Sequence, residues 1–476
     1  MKFLTWLYFP NQWKRVTGEG ETMAWLLLFL LFHGCSCLVF SHPTLQFLPG
    51  FTGPLPFQLE TGYVGVDENE IVQLFYYFIK SERNFREDPL MLWLTGGPGC
   101  SAISSLAFEI GPLSFKAVEY NGSLPTLLLN PYSWTKVASI IFVDSPVGTG
   151  FSYSKTPPAS PPSDFGQVDS INQFLKKWLI IHPEFLLNPL YIGGSSYSGI
   201  PLPALVQQIS NENEQGIKPL RNLQGYVLGS PMTDLTSFRK FRFLFAHGMG
   251  LISDEIYEAW KSNCEGGNPS NKECTRAVEA YEMCTSELYE NYILAPSCDF
   301  ASPKPQQSFS ERRSLTSHYF HDSQLSVPTL GCPTYGYLLA DYWANDYSVR
   351  QALHIHEGSI EKWRRCNKNM PYIRDIQNSI PYHANLSVKG YRSLIYNGDH
   401  DLTMPFLGTQ AWIRSLNYSI VDDWRPWMLS GQVAGYTRTY SNKMTFATIK
   451  GGGHTTMFRP EESSVMFKRW ISGEPL

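Results

Sequence analysis

No Cys-x-x-Cys pair occurs in the 476 residues, so the spacing that marks most structural zinc sites is missing. No block of basic residues is present: 38 Lys and Arg face 42 Asp and Glu, for a net charge of −4. That balance offers no footprint to nucleic acid or to an anionic membrane. No stretch is apolar for long enough to span a bilayer, which takes about 20 residues. No internal repeat is found, and no receptor-read tail such as KDEL closes the chain. What is abundant is core material, 43% hydrophobic and 14% aromatic, the composition of a large packed enzyme domain.

The N-terminus carries the features of a signal region at 1–41. Met23–Phe32 (MAWLLLFLLF) is a ten-residue apolar core with Lys2, Lys14 and Arg15 upstream and small residues after it. Residues 1–22 make a long leader, so a start at Met23 is an alternative. Secretion predicts disulfides and glycans. Nine cysteines are present; Cys35 and Cys37 leave with the signal, and the remaining seven are an odd number. Asn121, Asn385 and Asn417 head N-x-Ser/Thr triplets and are the candidate glycosylation sites. The secretory pathway, ending in vacuole or exterior, is the expected location.

Strands alternate with helices along 42–476, which predicts an α/β fold with a mostly parallel central sheet. Phe57–Val66 and Ile71–Phe78 read as a hairpin, and Leu90–Leu94 and Ala138–Val143 as buried strands. Phe165–Phe185 reads as a helix, Leu190–Ile192 as a short strand and Pro201–Ile209 as the next helix. Leu223–Leu228, Ser393–Tyr396 and Met444–Ile449 are further strands. Residues 235–341 have short helices and most of the cysteines; they are expected to form a cap inserted into the sheet domain. Within it, 301–327 is rich in Pro, Ser and Gln, contains Arg312-Arg313, and reads as an exposed, cleavable linker.

Chemistry concentrates at Tyr191–Ile200 (YIGGSSYSGI). A strand runs into a turn of small residues and then a helix, as a nucleophile elbow requires. Gly194 and Ser198 are small enough to flank Ser196, whose hydroxyl would stand at the strand's carboxyl end. The amide of Tyr197 would face a developing oxyanion. Serine needs a base, and the base a carboxylate. The α/β-hydrolase order places both later in the chain, acid first. Asn397–Asp401 (NGDHD) offers Asp399 and Asp401 after one strand, and Lys450–His454 (KGGGH) offers His454 after the next. His400 is the alternative base. Glycine amides of Thr95–Ser101 (TGGPGCS) could complete the oxyanion hole.

These segments resemble a known family. Trp93–Ser101 (WLTGGPGCS), Phe108–Pro112 (FEIGP), Asp144–Ser154 (DSPVGTGFSYS), Gly194–Gly199 (GSSYSG), NGDHD and Gly451–Thr455 (GGGHT) resemble serine carboxypeptidases. The likeness covers roughly His42 to Leu476 and is nearest to plant serine carboxypeptidase-like acyltransferases. It implies Ser196 as nucleophile, Asp401 as acid, His454 as base, and the amides of Gly97 and Tyr197 as oxyanion hole. It also implies the disulfides Cys100–Cys366, Cys264–Cys274 and Cys298–Cys332, with Cys284 unpaired. Peptidases of the family grip a terminal carboxylate through an Asn and a pair of glutamates. Here Thr95 stands for the Asn and Ser195 for one glutamate, leaving Glu109 without its partner. A family Asn near the site is Ser230, and the usual Ala-Pro after the histidine is Thr456-Met457. Arg365 matches a position implicated in holding acidic acceptors.

The resemblance therefore implies acyl transfer from a small sugar ester to a hydroxyl acceptor through an acyl-enzyme. A carboxypeptidase and a catalytically silent binding member are the competing expectations. No metal or other cofactor is called for.

Overall fold

The computed structural model describes residues 44–67, 69–157, 160–236, 238–264, 271–297 and 330–476. All belong to one unit, His42–Leu476. The signal region, Cys298 and the 301–327 linker lie outside the described residues, so the expected Cys298–Cys332 pairing does too.

The strands are β1 (Thr44–Leu45), β2 (Leu59–Gly65), β3 (Val72–Ile79), β4 (Leu90–Leu94), β5 (Leu113–Phe115), β6 (Leu127–Leu129) and β7 (Ser139–Val143). There follow β8 (Tyr153–Ser154), β9 (Leu190–Ser195), β10 (Leu223–Gly229), β11 (Arg392–Gly398), β12 (Ile420–Leu429), β13 (Gln432–Tyr440) and β14 (Met444–Ile449). The main sheet is ordered β1-β2-β3-β7-β4-β9-β10-β11-β14-β13-β12, with β8 beside β3. From β7 across to β14 every pairing is parallel. Both ends are antiparallel. β5 and β6 form a separate two-stranded sheet.

Each central strand is apolar on both faces because both are covered. On β4, Leu90, Leu92 and Leu94 enter one core while Met91 and Trp93 enter the other. Helices Asp164–Ile181 and Pro201–Glu214 cover the first face through Phe174, Trp178, Leu205 and Ile209. Helices Tyr335–Asn345 and Pro460–Ile471 cover the second, where Trp134 and Phe467 stack at 4.0 Å. Ser163 caps the first helix by accepting from Gly166 N–H, and Pro201 suits the opening turn of the second.

The sequence reading missed the β12–β13 hairpin. Its first strand, IVDDWRPWML, is largely exposed, contains Pro426 and breaks register three times. An edge strand of that kind carries no alternating pattern to detect.

Between β10 and β11 the chain leaves the sheet. Helices Phe238–Gly248, Asp254–Asn263 and Lys272–Thr285 build a small core of Phe243, Phe245, Trp260, Tyr281 and Ile293. Cys264 and Cys274 are bonded between the second and third of these helices. Helix Tyr335–Asn345 instead places Ala340, Trp343 and Ala344 in the main core, so position 341 falls inside a helix of the sheet domain. Among the described residues no helix is long and apolar enough to cross a membrane.

Candidate active site

β9 continues three residues beyond the expected end and delivers Ser196 at the carboxyl edge of the sheet. Ser195 is still extended, at φ −134°, and Ser196 turns to φ +58°. Left-handed backbone at a non-glycine residue costs on the order of 1–2 kcal/mol, and the packing around it must hold it there. A Cβ on Gly194 would lie 2.8 Å from Leu94 O and 2.9 Å from Ser198 Cβ. One on Gly199 would lie 2.3 Å from Met232 O. Glycine at 199 is thus demanded by the chain after β10. Ser198 Oγ donates to Leu94 O at 3.0 Å, and Met232 N–H donates to Ser196 O at 2.9 Å. The Tyr197 hydroxyl donates to buried Asp164 at 2.8 Å, anchoring the short 3₁₀ turn Ser196–Gly199.

The loops that carry the expected acid and base follow β11 and β14, neighbours in the sheet. Asp401 Oδ2 lies 2.8 Å from His454 Nδ1, and both residues are buried. Asp401 Oδ1 accepts from Met404 N–H at 3.0 Å, which fixes the carboxylate. Asp399 is committed elsewhere: Oδ1 accepts from Gly451 N–H at 2.7 Å and lies 2.6 Å from His400 Nδ1. Geometry separates the two aspartates: Asp401 pairs with His454, and Asp399 with the half-buried His400. A brace from the inserted region holds both loops. Asn291 O accepts from His454 N–H at 2.7 Å, and Glu290 O accepts from Leu402 and Thr403 N–H.

Burial disfavours the charged form of His454, but Asp401, by charge and hydrogen bond, and Glu109, by charge, outweigh it. Its pKa therefore stands above the ordinary 6.5. If His454 is the base the sequence leads one to expect, only its neutral imidazole could take the proton of Ser196. The rate of Ser196 labelling by a fluorophosphonate is expected to fall as pH drops through a midpoint above 6.5. In Asp401→Asn the burial cost loses its main counterweight, so the midpoint should move down. A wild-type midpoint at or below the ordinary value would contradict this pairing.

The glycine loop after β4 presses on the elbow. A Cβ on Gly96 would lie 2.7 Å from both Ser195 O and Ser196 Cβ, and 3.1 Å from Tyr197 N. Gly97 adopts φ +133°, and a Cβ there would meet Gly99 N at 2.8 Å. Gly96→Ala is expected to lower turnover by about 10² or more, the order of losing an oxyanion donor. Steady-state kinetics beside an unchanged circular-dichroism spectrum would check it; near-normal turnover would show that the loop has slack. Cys100 and Cys366 are bonded, and Ser101 N–H donates to Arg365 O at 2.7 Å. The Arg365 guanidinium lies 3.9 Å over the Tyr337 ring, and its Nε is buried without a hydrogen-bond partner.

Glu109 sits 8% exposed with Oε2 accepting from Ser105 Oγ at 3.1 Å. Burial raises its carboxyl, and Ser105, His454 and Arg365 counter this only in part, so its pKa stays above the usual range. Thr95 Oγ1 lies 2.9 Å from the same Ser105 hydroxyl. Ser195 is buried at the end of β9, and Ser230 has a buried hydroxyl without a partner. Ser105 and Asn291 escaped the sequence reading. Ser105 lies four residues before Glu109, a spacing that could have shown it; Asn291 acts through its backbone carbonyl, which no side-chain pattern marks. Asn121, Asn385 and Asn417 are all exposed, and Cys284 is an exposed free thiol.

A parallel-centred sheet, helices on both faces and a serine on a strained strand-to-helix turn define an α/β-hydrolase fold. The family model for serine carboxypeptidase matches residues 49–473. Serine carboxypeptidase-like 2 of Arabidopsis thaliana is 56% identical over 436 residues, 91% of this chain and 93% of that protein. Serine carboxypeptidase-like 17 of the same plant is 54% identical over 462 residues, 96% of this chain and 99% of that protein. The chain belongs to the serine carboxypeptidase family. Among solved structures, a prohormone-processing carboxypeptidase from Saccharomyces cerevisiae superposes with a TM-score of 0.67 at 19% identity, covering 88% of this chain and 92% of that one. At that identity the likeness concerns the fold.

Proposed function

We propose that the protein is an acyltransferase that moves an acyl group from a sugar ester to a hydroxyl acceptor, with Ser196, His454 and Asp401 as its triad. Ser196 Oγ attacks the ester carbonyl while His454 takes its proton, and Asp401 orients the imidazole and balances its charge. The amides of Gly97 and Tyr197 receive the oxyanion. Sugar leaves with the proton from His454, and the acceptor hydroxyl repeats the sequence in reverse. A well-placed acceptor can reach an effective molarity of roughly 10⁵ M, which lets it outrun water.

One observation carries the choice of acceptor. Where a peptide's terminal carboxylate would need paired carboxyls, Glu109 is hydrogen-bonded to a serine and Thr95 to that same serine. A lone carboxylate repels such a ligand, whereas hydroxyl groups suit a sugar ester or an alcohol. Arg365 does not decide between the readings, because its unpartnered guanidinium nitrogen suits a peptide's terminal carboxylate and an acidic acceptor equally. Disulfides and exposed sequons support passage through the secretory pathway, to vacuole or exterior, with Asn121, Asn385 and Asn417 glycosylated.

The test is incubation of purified protein with an aromatic acyl-glucose and an alcohol. Ester product and an acyl adduct on Ser196, read by mass, are expected. Release of C-terminal residues from blocked dipeptides without ester formation would reject acyl transfer. No fluorophosphonate adduct would point to the silent member.

A further inference from the structure

Trp93, Thr95, Ser105 and Glu109 form a buried line of hydrogen bonds beside the elbow. Trp93 Nε1 donates to Ser105 Oγ at 3.0 Å, Thr95 Oγ1 lies 2.9 Å from that oxygen, and Glu109 Oε2 lies 3.1 Å from it. A π-helical turn, Ser105–Glu109, brings the last two together; Ser105 O accepts from both Ile110 and Gly111 N–H at 3.0 Å. Gly111 cannot carry a side chain, since a Cβ would lie 2.1 Å from Leu106 O. Such single π turns recur at functional sites.

A hydroxyl has one proton and two lone pairs, and an indole N–H only donates. One lone pair of Ser105 is therefore always taken by Trp93, and two arrangements remain. Ionised Glu109 only accepts. Ser105 then gives it the proton and accepts from Thr95, whose proton is spent inward. Protonated Glu109 can donate to Ser105. Ser105 then turns its proton to Thr95, and the Thr95 proton is released outward. No heavy atom needs to move.

We infer that Ser105 is a positioning residue that converts the protonation of Glu109 into the hydrogen-bond polarity of Thr95. Thr95 offers a proton to a substrate oxygen when Glu109 is protonated, and offers a lone pair when Glu109 is ionised. The placement of substrate rests on the proposed function: Thr95 precedes Gly96, the residue that abuts Ser196. His454 on the loop after β14 and Arg365 beside Cys366 face Glu109 and favour its ionised form. Tyr337 from its helix and Tyr396 from β11 also face it, and burial keeps both phenols neutral. Protons on Glu109 and His454 oppose each other, so the pair titrates with apparent midpoints of its own.

The Trp93 indole resonance, assigned by its loss in Trp93→Phe, reads the relay without any turnover. It should shift with pH at a midpoint above the ordinary carboxyl range, and the shift should vanish in Glu109→Gln and in Ser105→Ala. The second readout is the fluorophosphonate labelling rate against pH. The wild type should show a Glu109-dependent step of about twofold to tenfold, the span one hydrogen bond carries. The step should survive in Thr95→Ser and vanish in Thr95→Val and Ser105→Ala. A step lost in Glu109→Gln but kept in Thr95→Val and Ser105→Ala would mean that charge alone acts on His454, and would overturn the inference. An indole that does not titrate overturns it whatever the activity. A titrating indole in a protein with an unreactive Ser196 supports the relay and rejects acyl transfer.

Discussion

Ser196→Ala is expected to abolish fluorophosphonate labelling and to lower turnover, of the proposed acyl transfer or of any other substrate, by about 10⁴ to 10⁶. The upper figure is what loss of a serine nucleophile costs in other enzymes where three residues act as one unit. Residual rate would come from substrate binding and the oxyanion donors alone. The substitution leaves the backbone problem unchanged, because alanine at φ +58° pays the same steric cost as serine. The fold is held by contacts that alanine retains: Met232 N–H on the residue 196 carbonyl, Asp164 on Tyr197 and Leu94 O on Ser198. The melting temperature should therefore stay within a few degrees while activity disappears. Full turnover in the variant would remove Ser196 from the chemistry.

Asp401→Asn should lower turnover by about 10⁴, because an amide favours the wrong imidazole tautomer. Asp399→Asn is the matched control, two residues away on the same loop. Asp399 holds Gly451 N–H and His400, so its replacement weakens loop anchoring by about 1 kcal/mol, less than about tenfold in rate. Rates for the two variants, measured at a pH above the His454 midpoint, separate the roles. Equal losses would mean that the acid position is assigned wrongly.

That contrast also shows how far the sequence could be read. Strand, small-residue turn and helix around Ser196 are local, so β9, the elbow and the flanking helix could be placed from the residues alone. β4 and β14 end where their apolar runs end, at a glycine-rich loop and at Lys450. The choice of Asp401 over Asp399 is not local; it depends on how the loop after β11 folds against that after β14. The resemblance supplied the choice, and the 2.8 Å contact to His454 gives the physical reason. Helix Pro201–Glu214 runs five residues past its expected end because polar residues that look like a stop find partners there: Glu212 pairs with Lys176 and Arg221, and Asn213 bonds the Arg221 backbone. Ser105 was passed over for a different reason, although its spacing to Glu109 was there to read. A serine in an apolar turn reads as filler until the π-helical geometry sets it against Glu109, Thr95 and Trp93 together.

The brace at residues 289–293 has a consequence for how this architecture can be altered. The inserted region supplies the Asn291 carbonyl that fixes the His454 backbone and the Glu290 carbonyl that ties down the loop of Asp401. Substrate preference could drift by change in the outer helices, while this short stretch stays bound to the sheet domain's register. A chimera that exchanges the whole insertion with a relative should lose rate as well as selectivity unless the recipient's own 289–293 is kept. The natural seam for grafting lies between the third inserted helix, which ends at Thr285, and Tyr289.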